Sequence, residues 1–394
     1  MIALDEYSYE SILASAEDPV WVSDDQTLAQ LCEHWSQCPV IALDTEFIRT
    51  KTYYPIPGLI QLADKHSCYL IDPLAITEWN PLRKLLTNTE VLKLLHAPSE
   101  DIELFRHSFQ VLPQPLFDTQ IAAAFAGLGH SRGLQKLLKQ VLDVDLDKEE
   151  TRSDWLKRPL TPRQERYAAL DVAHLVELYR RILPQLEANQ RLDWVAEETR
   201  VLVDSVANAD TDIDKYYLRF TQLWNLKPHR QTALRDVCTW REKIVREKDR
   251  TRNSLLSNHL LVEVFKRWPR SVKDLSEVKE MRGSVVGEYG PEIMRMIYDA
   301  RTSHKVYPAE LIPQPLDFKW HAAVKKLRKF GIELSDKLGI PQELLVRKRD
   351  IEMLIRSGEE SGEFTLPEGL KGWREAVIGE PMLAELKRIN ETSE

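Results

Sequence analysis

Cysteine is scarce in this chain of 394 residues, and the four that occur, Cys32, Cys38, Cys68 and Cys238, form no CxxC pair. Zinc and thiol redox sites commonly use such pairs, so neither is expected, and reduced thiols in a cytoplasm are the better interpretation. The start, "MIALDEYSYE", lacks the basic and apolar regions of a signal peptide. The longest near-apolar run, residues 121–128, is too short to span a bilayer. We therefore expect a cytoplasmic protein that does not use a membrane.

Strand-like patterns are missing after about residue 210, and this absence divides the chain. Before that point "PVIALDTEF", "GLIQLAD", "CYLIDP" and "VLKLLH" predict four strands. Helical spacing predicts helices in "SEDIELFRHSF", with Ser99 as N-cap, and in "FDTQIAAAFAG" and "RGLQKLLKQVL". Another helix should begin at Thr161 as N-cap with Pro162 in its first turn. The pattern is that of an α/β domain with three strands first and helices alternating later.

The rest of the chain predicts helices only, with one interruption. Pro308, Pro313 and Pro315 fall close together and predict a semi-rigid, extended linker. The layout on either side of the linker is similar, which suggests two related helical modules. We predict an α/β domain at 1–208, a helical domain at 209–302, a proline-rich linker at 303–318 and a second, diverged helical domain at 319–394.

Charge is distributed unevenly over these segments. The net charge of −8 divides into −13 for residues 1–210, +5 for residues 211–300 and 0 for the remainder. A basic helical segment beside an acidic domain could bind a polyanion. The alternative is an ordinary solvated helical surface that is rich in lysine and arginine.

Two carboxylates end the first long strand pattern, in "VIALDTEF". Asp44 and Glu46 are two residues apart, so on an extended chain they point to the same face. Like charges that lie so close repel each other, and burial strengthens the repulsion. A divalent cation such as Mg²⁺ would supply the missing counter-charge. Alternatively, Asp44 caps a turn and Glu46 is solvated.

Further acids occur where an α/β fold gathers ligands. Asp101 lies just after the fourth predicted strand, near the strand ends where ligands bind in such sheets. Tyr167 and Asp171 are spaced i and i+4 on the predicted helix and therefore share a face. The alternatives are an acid that complements a helix dipole and an ordinary amphipathic helix.

Together these motifs resemble the DEDD superfamily of 3′–5′ exonucleases, and specifically the bacterial ribonuclease D family. The resemblance rests on "ALDTEFIRTKTYYPIPGLIQLAD", "LHAPSEDIELF", "LFDTQIAAAF" and "SRGLQKLL…SDWLKRPL…YAALDVAHL", within residues 20–205. The following segment, with "LRDVCTWREKIVREKDR" and "LLVEVFKRWPRSVKDL", resembles an HRDC domain, and the C-terminal segment resembles a second, more diverged one. The resemblance implies an α/β fold with a ribonuclease H-like exonuclease domain, a mixed sheet flanked by helices, followed by all-α HRDC-type domains.

The resemblance also implies a mechanism. The family's four acids, which correspond to Asp44, Glu46, Asp101 and Asp171, bind two divalent ions, Mg²⁺ or Mn²⁺, and Tyr167 positions the attacking water. The superfamily's other branch has a histidine five residues before its last acid. Arg166 stands at that position here, which places the chain in the tyrosine branch.

The expected activity is a 3′–5′ exoribonuclease that trims precursor tRNA and other structured RNAs and releases nucleoside 5′-monophosphates. We expect a monomer that needs no nucleotide cofactor. The alternatives are a DNA exonuclease and a catalytically silent RNA-binding scaffold. The expected phosphate-binding residues are basic residues of the HRDC segment, namely Lys227, Arg230, Arg241, Lys243, Arg246, Lys248, Arg250 and Arg252.

Several other residues are expected to be structural. Asp118 should support the second motif rather than bind metal. His96 and His174 lie near the motifs and are better interpreted as structural histidines. Trp240 and Trp268 are expected to pack in the helical core rather than to stack on bases.

Overall fold

A six-stranded mixed sheet organises the first half of the protein, in the order β1-β4-β3-β2-β5-β6. The structure is a computed structural model, and it describes residues 8–146, 150, 153–303 and 310–391. β3 runs antiparallel to β2 and β4, and the other neighbouring strands pair in parallel. The strands are β1 (Val20–Val22), β2 (Val40–Ile48), β3 (Ile56–Ala63), β4 (Cys68–Ile71), β5 (Leu92–Leu95) and β6 (Leu116–Asp118).

The fold class predicted from the sequence is confirmed, and so are the four strands β2 to β5. β1 and β6 were not predicted, because three residues are too few to show a pattern. The segment predicted as one helix from Phe117 begins instead with β6, and the helix starts at Thr119. The prediction of Ser99 as an N-cap was wrong, because Pro98 occupies that position and Ser99 is already helical.

Up to residue 207, eight α-helices accompany the sheet in the part of the chain that the structure describes. They are α1 (Tyr9–Ala16), α2 (Asp25–Trp35), α3 (Asn80–Thr87), α4 (Ser99–Ser108), α5 (Thr119–Phe125), α6 (Leu134–Leu142), α7 (Pro162–Ala188) and α8 (Leu192–Ala207). The start of α7 is as predicted. Thr161 and Gln164 form a reciprocal capping box, and Pro162 stands in the first turn. The capping box therefore determines where α7 begins, and hence where its functional side chains lie.

The chain forms two compact units. For the described residues, unit 1 lies within 1–48, 56–206 and 316–394, and unit 2 lies within 49–55 and 207–315. The short segment between β2 and β3 thus belongs to the helical unit. In unit 2, Asp249 accepts hydrogen bonds from the backbone N–H groups of Tyr53 and Tyr54, at 2.9 and 3.0 Å.

Unit 2 is helical in its described residues, as the sequence predicts. Its α-helices are α9 (Pro228–Glu247), α10 (Arg252–Leu255), α11 (Asn258–Arg267), α12 (Val272–Ser276) and α13 (Gly283–Ser303). Trp240 is 9 % exposed and packs edge-on against Tyr289, within the core. The first part of the predicted linker includes Pro308, which lies outside the described residues. Beyond it, Ile312 is buried in unit 2 and donates its N–H to Gln231.

The C-terminal segment packs within unit 1. Its α-helices are α14 (His321–Leu338), α15 (Gln342–Leu345), α16 (Lys348–Arg356) and α17 (Glu380–Glu391). Trp373 stacks on Trp194 and meets Phe125 edge-on, and Arg191 donates to the Leu338 carbonyl. The order of one long helix, one four-residue helix and one helix of nine or ten residues occurs in both α9–α11 and α14–α16. Across the described part of the chain, no helix combines the length and the apolar character needed to cross a bilayer.

Candidate active site

Three carboxylates meet where the central strand β2 approaches α7. Ligand oxygens of Asp44, Glu46 and Asp171 all lie within 4.8 Å of one another. Asp44 and Glu46 share one face of β2, as their spacing predicts, and Asp171 reaches them from the helix that covers that face. Ala168 and Ala169 are completely buried in α7, and their small side chains let the helix lie close to the strand.

The fourth predicted acid lies next to this trio on α4. Asp101 is 8 % exposed, and its Oδ1 accepts a 2.5 Å hydrogen bond from the Thr45 hydroxyl. Thr45 stands between Asp44 and Glu46 in the sequence, so β2 itself holds Asp101. Sequence reasoning gave Thr45 no role, since an isolated threonine in a strand has no distinctive pattern.

The four carboxyl groups are hard to ionise together. Burial, and then the charges of Asp171 and Asp101, raise the pKa of Glu46 to about 9. Burial also raises the pKa of Asp171 to about 7 and that of Asp101 to about 6. The pKa of Asp44 is raised by burial, and further by the charges of the other three acids. The described residues therefore do not supply the positive charge that would let all four carboxyl groups ionise together at neutral pH.

A divalent cation fits these residues. Among the described residues, no lysine or arginine lowers the pKa of Asp44 or Glu46, so the cluster has no protein counter-ion. Its ligand atoms are carboxylate oxygens, which are the atoms that hard cations such as Mg²⁺ prefer. An uncompensated buried charge is unfavourable, and a bound cation would remove that cost.

Tyr167 lies one helical turn before Asp171, beside the cluster. Its pKa is raised by burial, and then by the charges of Asp171, Glu46 and Asp44, so the hydroxyl keeps its proton. A hydrogen bond with Tyr167 partly opposes the rise in the pKa of Asp171. The Tyr167 hydroxyl is therefore a proton-bearing group next to three carboxylates.

The segment "SDWLKRPL" packs against Tyr167 and against the bulge between β2 and β3. Arg158 donates to both oxygens of Asp72, at 2.9 and 2.6 Å, and to the Gly58 carbonyl at 2.6 Å. Gly58 is the extra residue where the β2–β3 register shifts after Glu46. A Cβ atom at Gly58 would lie 2.7 Å from the Trp155 Cβ, so only glycine allows this close packing. Because Trp155 also lies against Tyr167, the segment fixes both the bulge and the tyrosine.

A cavity of about 700 Å³ opens beside Asp44, Tyr167 and Asp171. Part of its wall is the turn between α5 and α6, which includes Arg132, together with the first turn of α6, which includes Lys136. Its volume is in the range of about 300–1,000 Å³ that is typical of sites for small organic ligands. Sequence reasoning assigned this turn no function, because it comes near the acids only in the folded chain.

Two side chains support this wall as structural residues, His96, which is partly buried, and Asp118, which is buried. His96 contacts the Thr119 hydroxyl and the Arg132 carbonyl at 2.9 and 3.0 Å, and burial lowers its pKa to about 4. Asp118 caps α5 at the Gln120 N–H and also accepts from the Ala97 N–H, just before α4. Asp118 thereby lies where the sequence suggested, in support of the segment that bears the second motif.

The predicted phosphate-binding residues of unit 2 fall into different environments. Arg241 is completely buried and bonds to Glu242, the Leu256 carbonyl and Asn258. Arg246 and Arg252 also form ion pairs with Glu242. Burial would raise the pKa of Glu242, but the hydrogen bonds from Arg252 and the charges of all three arginines lower it. This cluster is a structural core, so a phosphate cannot reach Arg241 in the folded unit.

The remaining predicted residues are nearer to the surface. Lys248 bonds to Glu288 and the Tyr289 hydroxyl, and the Arg230 guanidinium lies 4.8 Å from the centre of the Trp268 ring. Arg250 is partly exposed. Lys227 and Lys243 are exposed and make no ion pair within the part of the chain that the structure describes.

The fold and the acid cluster define a metal-dependent phosphodiesterase of the 3′–5′ exonuclease class. A family model described as "3′–5′ exonuclease" matches residues 19–187, and a model described as "HRDC domain" matches residues 230–297. The chain is 40 % identical to ribonuclease D of Pseudomonas paraeruginosa over 377 residues, covering 95 % of this chain and all of the relative. It is 36 % identical to ribonuclease D of Escherichia coli over 371 residues, covering 92 % and 96 %.

Solved structures agree with this result. The crystal structure of E. coli RNase D, described as an exoribonuclease involved in structured RNA processing, matches with a TM-score of 0.82 and 35 % identity. The match covers 94 % of this chain and 99 % of that one. The catalytic core of RRP6 from Trypanosoma brucei, at 21 % identity and a TM-score of 0.55, shares the fold over 76 % of this chain and 87 % of its own. The chain belongs to the ribonuclease D family of 3′–5′ exoribonucleases, which use divalent metal ions.

The raised pKa values predict how the metal-free protein responds to pH. The pKa of a carboxyl group is about 4 in the unfolded state. If folding raises this pKa, the free energy of unfolding decreases as the pH rises from the unfolded-state pKa towards the folded-state pKa, because the unfolded state releases the proton more readily. Between pH 7 and 8.5 His96 and His174, whose pKa values burial lowers to about 4, are neutral in the folded state, and they are mostly neutral in the unfolded state, where the pKa is about 6.5, so they contribute little to the change. We therefore expect the melting temperature of metal-free protein to fall over this interval, mainly because of Glu46.

Thermal unfolding with and without Mn²⁺ tests this prediction. Mn²⁺ should raise the melting temperature more at pH 8.5 than at pH 7, because it binds the deprotonated cluster. Glu46→Gln removes the group with a pKa of about 9 and should flatten the pH dependence of the metal-free protein. Equal slopes for the wild type and Glu46→Gln would contradict the assignment.

Proposed function

We propose that this exoribonuclease hydrolyses the 3′-terminal phosphodiester bond of RNA at Asp44, Glu46, Asp101 and Asp171, with two Mg²⁺ or Mn²⁺ ions. The observation that supports this most directly is the trio of ligand oxygens within 4.8 Å, which has no counter-ion among the described residues. When bound, the two ions activate a water and stabilise the charge on the leaving 3′ oxygen. The four carboxylates would hold the ions.

The protein's own groups then determine the geometry of attack. The Tyr167 hydroxyl keeps its proton and orients the attacking water by hydrogen bonding. The cavity next to Tyr167 holds the terminal nucleotide, with Arg132 and Lys136 available to the adjoining phosphates. The products are a nucleoside 5′-monophosphate and an RNA shortened by one nucleotide.

We further propose that the substrates are structured RNAs, including precursor tRNAs with 3′ extensions, and that the protein acts as a cytoplasmic monomer. The relative from E. coli, whose structure matches over nearly its whole length, is an exoribonuclease involved in structured RNA processing. The net charge of +5 in residues 211–300 supports a second, electrostatic contact with RNA. The helix order of α14–α16 supports the proposal that the C-terminal segment is a diverged HRDC-like domain.

A direct comparison of substrates tests the proposed activity. Purified full-length protein with Mg²⁺ or Mn²⁺ should shorten a 3′-extended tRNA and a single-stranded RNA stepwise from the 3′ end and release 5′-monophosphates. A DNA oligonucleotide of the same sequence should be cut more slowly, because it lacks the 2′-hydroxyl. Equal rates on DNA and RNA would favour a general exonuclease, and no cleavage at all would favour a silent RNA-binding protein.

Point substitutions test the contribution of unit 2. Deleting everything after residue 208 is unsuitable, because residues 316–391 contribute Trp373 to the core of unit 1. We expect Lys227→Gln with Lys243→Gln to weaken tRNA binding and to lower the slope of log affinity against log salt, by about 0.7–0.9 for each lost phosphate contact. Binding is measured over a range of salt concentrations.

The matched control is Lys227→Arg with Lys243→Arg, which keeps both charges and should keep the slope. Activity on a short oligonucleotide should remain unchanged in both variants, since the active-site cavity alone can hold such a substrate. Identical slopes for the Gln and Arg variants would remove Lys227 and Lys243 from the RNA-binding surface.

A further inference from the structure

Gln61 is a completely buried amide at the centre of the sheet, and it has no partner within the described structure. It lies in β3 with 0 % exposure, and neither its amide oxygen nor its amide nitrogen makes a hydrogen bond there. A buried side-chain amide without hydrogen bonds destabilises a fold, because the group has lost its hydrogen bonds to water and gained none in return. Such groups are uncommon in folded proteins and call for an explanation.

The register of the sheet places Gln61 next to the acid cluster. Gln61 is paired with Asp44 across the β2–β3 ladder, so their side chains lie on the same face. Cβ atoms of directly paired residues are about 4.5–5.5 Å apart, and a glutamine side chain can span that gap. Asp44 is in turn one of the three acids whose ligand atoms converge.

The other neighbours of Gln61 on this face are apolar. Leu59 and Ala63 precede and follow it by two residues, and Leu70 is its partner on β4. Leu59 and Leu70 pack in one cluster with Ala168 of α7. Trp155, whose buried indole N–H also has no partner among the described residues, packs in the same cluster. Of the two residues paired with Gln61 across the ladder, Asp44 and Leu70, Asp44 is the polar one, so a hydrogen bond from the amide to a paired side chain goes to the metal site.

We infer that Gln61 is a positioning residue that donates a hydrogen bond from Nε2 to the Asp44 carboxylate when the metal centre is loaded. The inference rests on the proposed function, since it requires that Asp44 binds metal. A carboxylate that binds metal through one oxygen commonly accepts hydrogen bonds at the other, and these bonds fix its orientation. In the metal-bound protein, the hydrogen bond to Asp44 would offset the cost of burying the Gln61 amide. In the metal-free protein, the amide would have no hydrogen-bond partner.

The inference predicts opposite effects on metal binding and on stability. Gln61→Met has a similar shape and no amide, so it removes both the hydrogen bond and the unsatisfied polar group. We expect Mn²⁺, titrated into the full-length protein and followed by electron paramagnetic resonance of unbound Mn²⁺, to bind about 10–100-fold more weakly than to the wild type. The metal-free melting temperature should stay the same or rise. Activity should recover in part at high Mn²⁺ concentration.

A matched control separates this role from packing. Leu70→Met changes the other cross-strand neighbour of Gln61, and Mn²⁺ affinity should not change in this variant. Gln61→Leu gives a second apolar replacement if Gln61→Met does not fold. A Gln61 variant that binds Mn²⁺ as tightly as the wild type would overturn the inference, as would a variant whose only defect is a lower metal-free melting temperature. Failure of the wild-type protein to bind Mn²⁺ would instead contradict the proposed metal centre itself.

Discussion

Replacing Asp171 by Asn lowers turnover on single-stranded RNA by about 10²–10³-fold or more, because the ions it holds would serve both the attacking and the leaving oxygen. The substitution keeps the size of the side chain and removes its charge. Asp171 is 8 % exposed, so the effect does not arise from lost surface charge. We expect the same scale of loss for Asp44→Asn, Glu46→Gln and Asp101→Asn. Turnover is measured at saturating RNA over a range of Mn²⁺ concentrations.

The fold itself should survive these changes. Removing one of several repelling buried carboxylates relieves repulsion in the metal-free protein, so its melting temperature should not fall. Glu100→Gln is the matched control for Asp101→Asn, since Glu100 is its exposed neighbour on α4. Glu100→Gln should keep wild-type turnover. Any acid whose substitution leaves more than about a tenth of the turnover does not belong to the metal site.

Tyr167→Phe is expected to reduce kcat by about 10²–10⁴-fold, the usual contribution of a positioned proton-bearing group. The substitution removes only the hydroxyl and keeps the ring, which lies against Trp155. Because Tyr167 orients water rather than binding metal, the Mn²⁺ dependence of the remaining activity should stay close to that of the wild type. This combination distinguishes the tyrosine from the four acids.

The control for this experiment lies on the same helix. Tyr179 is buried in α7 and packs edge-on against Phe117, away from the acid cluster. Tyr179→Phe should therefore leave kcat close to that of the wild type, since a hydroxyl away from the acid cluster is out of hydrogen-bond reach of the attacking water. If Tyr167→Phe retains full kcat at saturating RNA and Mn²⁺, Tyr167 serves only for packing.

The long, locally encoded elements were predictable from the sequence. β2 is an uninterrupted apolar run, and α7 begins with a capping box and a proline that act within a few residues. β1 and β6 were not predictable in the same way. Each has three residues, and it becomes a strand because a neighbouring strand supplies its hydrogen-bond ladder. The prediction of Ser99 as the N-cap was wrong because α4 begins one residue earlier than predicted. Pro98 is the N-cap, and Ser99 is the first helical residue.

Charge and polarity were harder to interpret from composition. Arg241 was predicted to contact phosphate, but it is buried against Glu242, which follows it directly in the chain. In a sequence, adjacent charged residues such as Arg241 and Glu242 are usually interpreted as exposed to solvent. Only the packing of α9 shows that both side chains lie in the core. Gln61 is a similar case, since nothing in "GLIQLAD" indicates that its amide is buried next to an acid.

The sequence by itself determined the α/β and all-α division, the central strand with its two acids, and the helix that bears Tyr167 and Asp171. These features follow from short-range patterns of apolar spacing, capping and charge. Only the tertiary structure decided which distant groups meet: Asp171 with Asp44, Thr45 with Asp101, and Arg158 with Gly58 and Asp72. The physical reason is that such contacts depend on strand order, register and the approach of α7 to the sheet, which arise from packing over the whole domain.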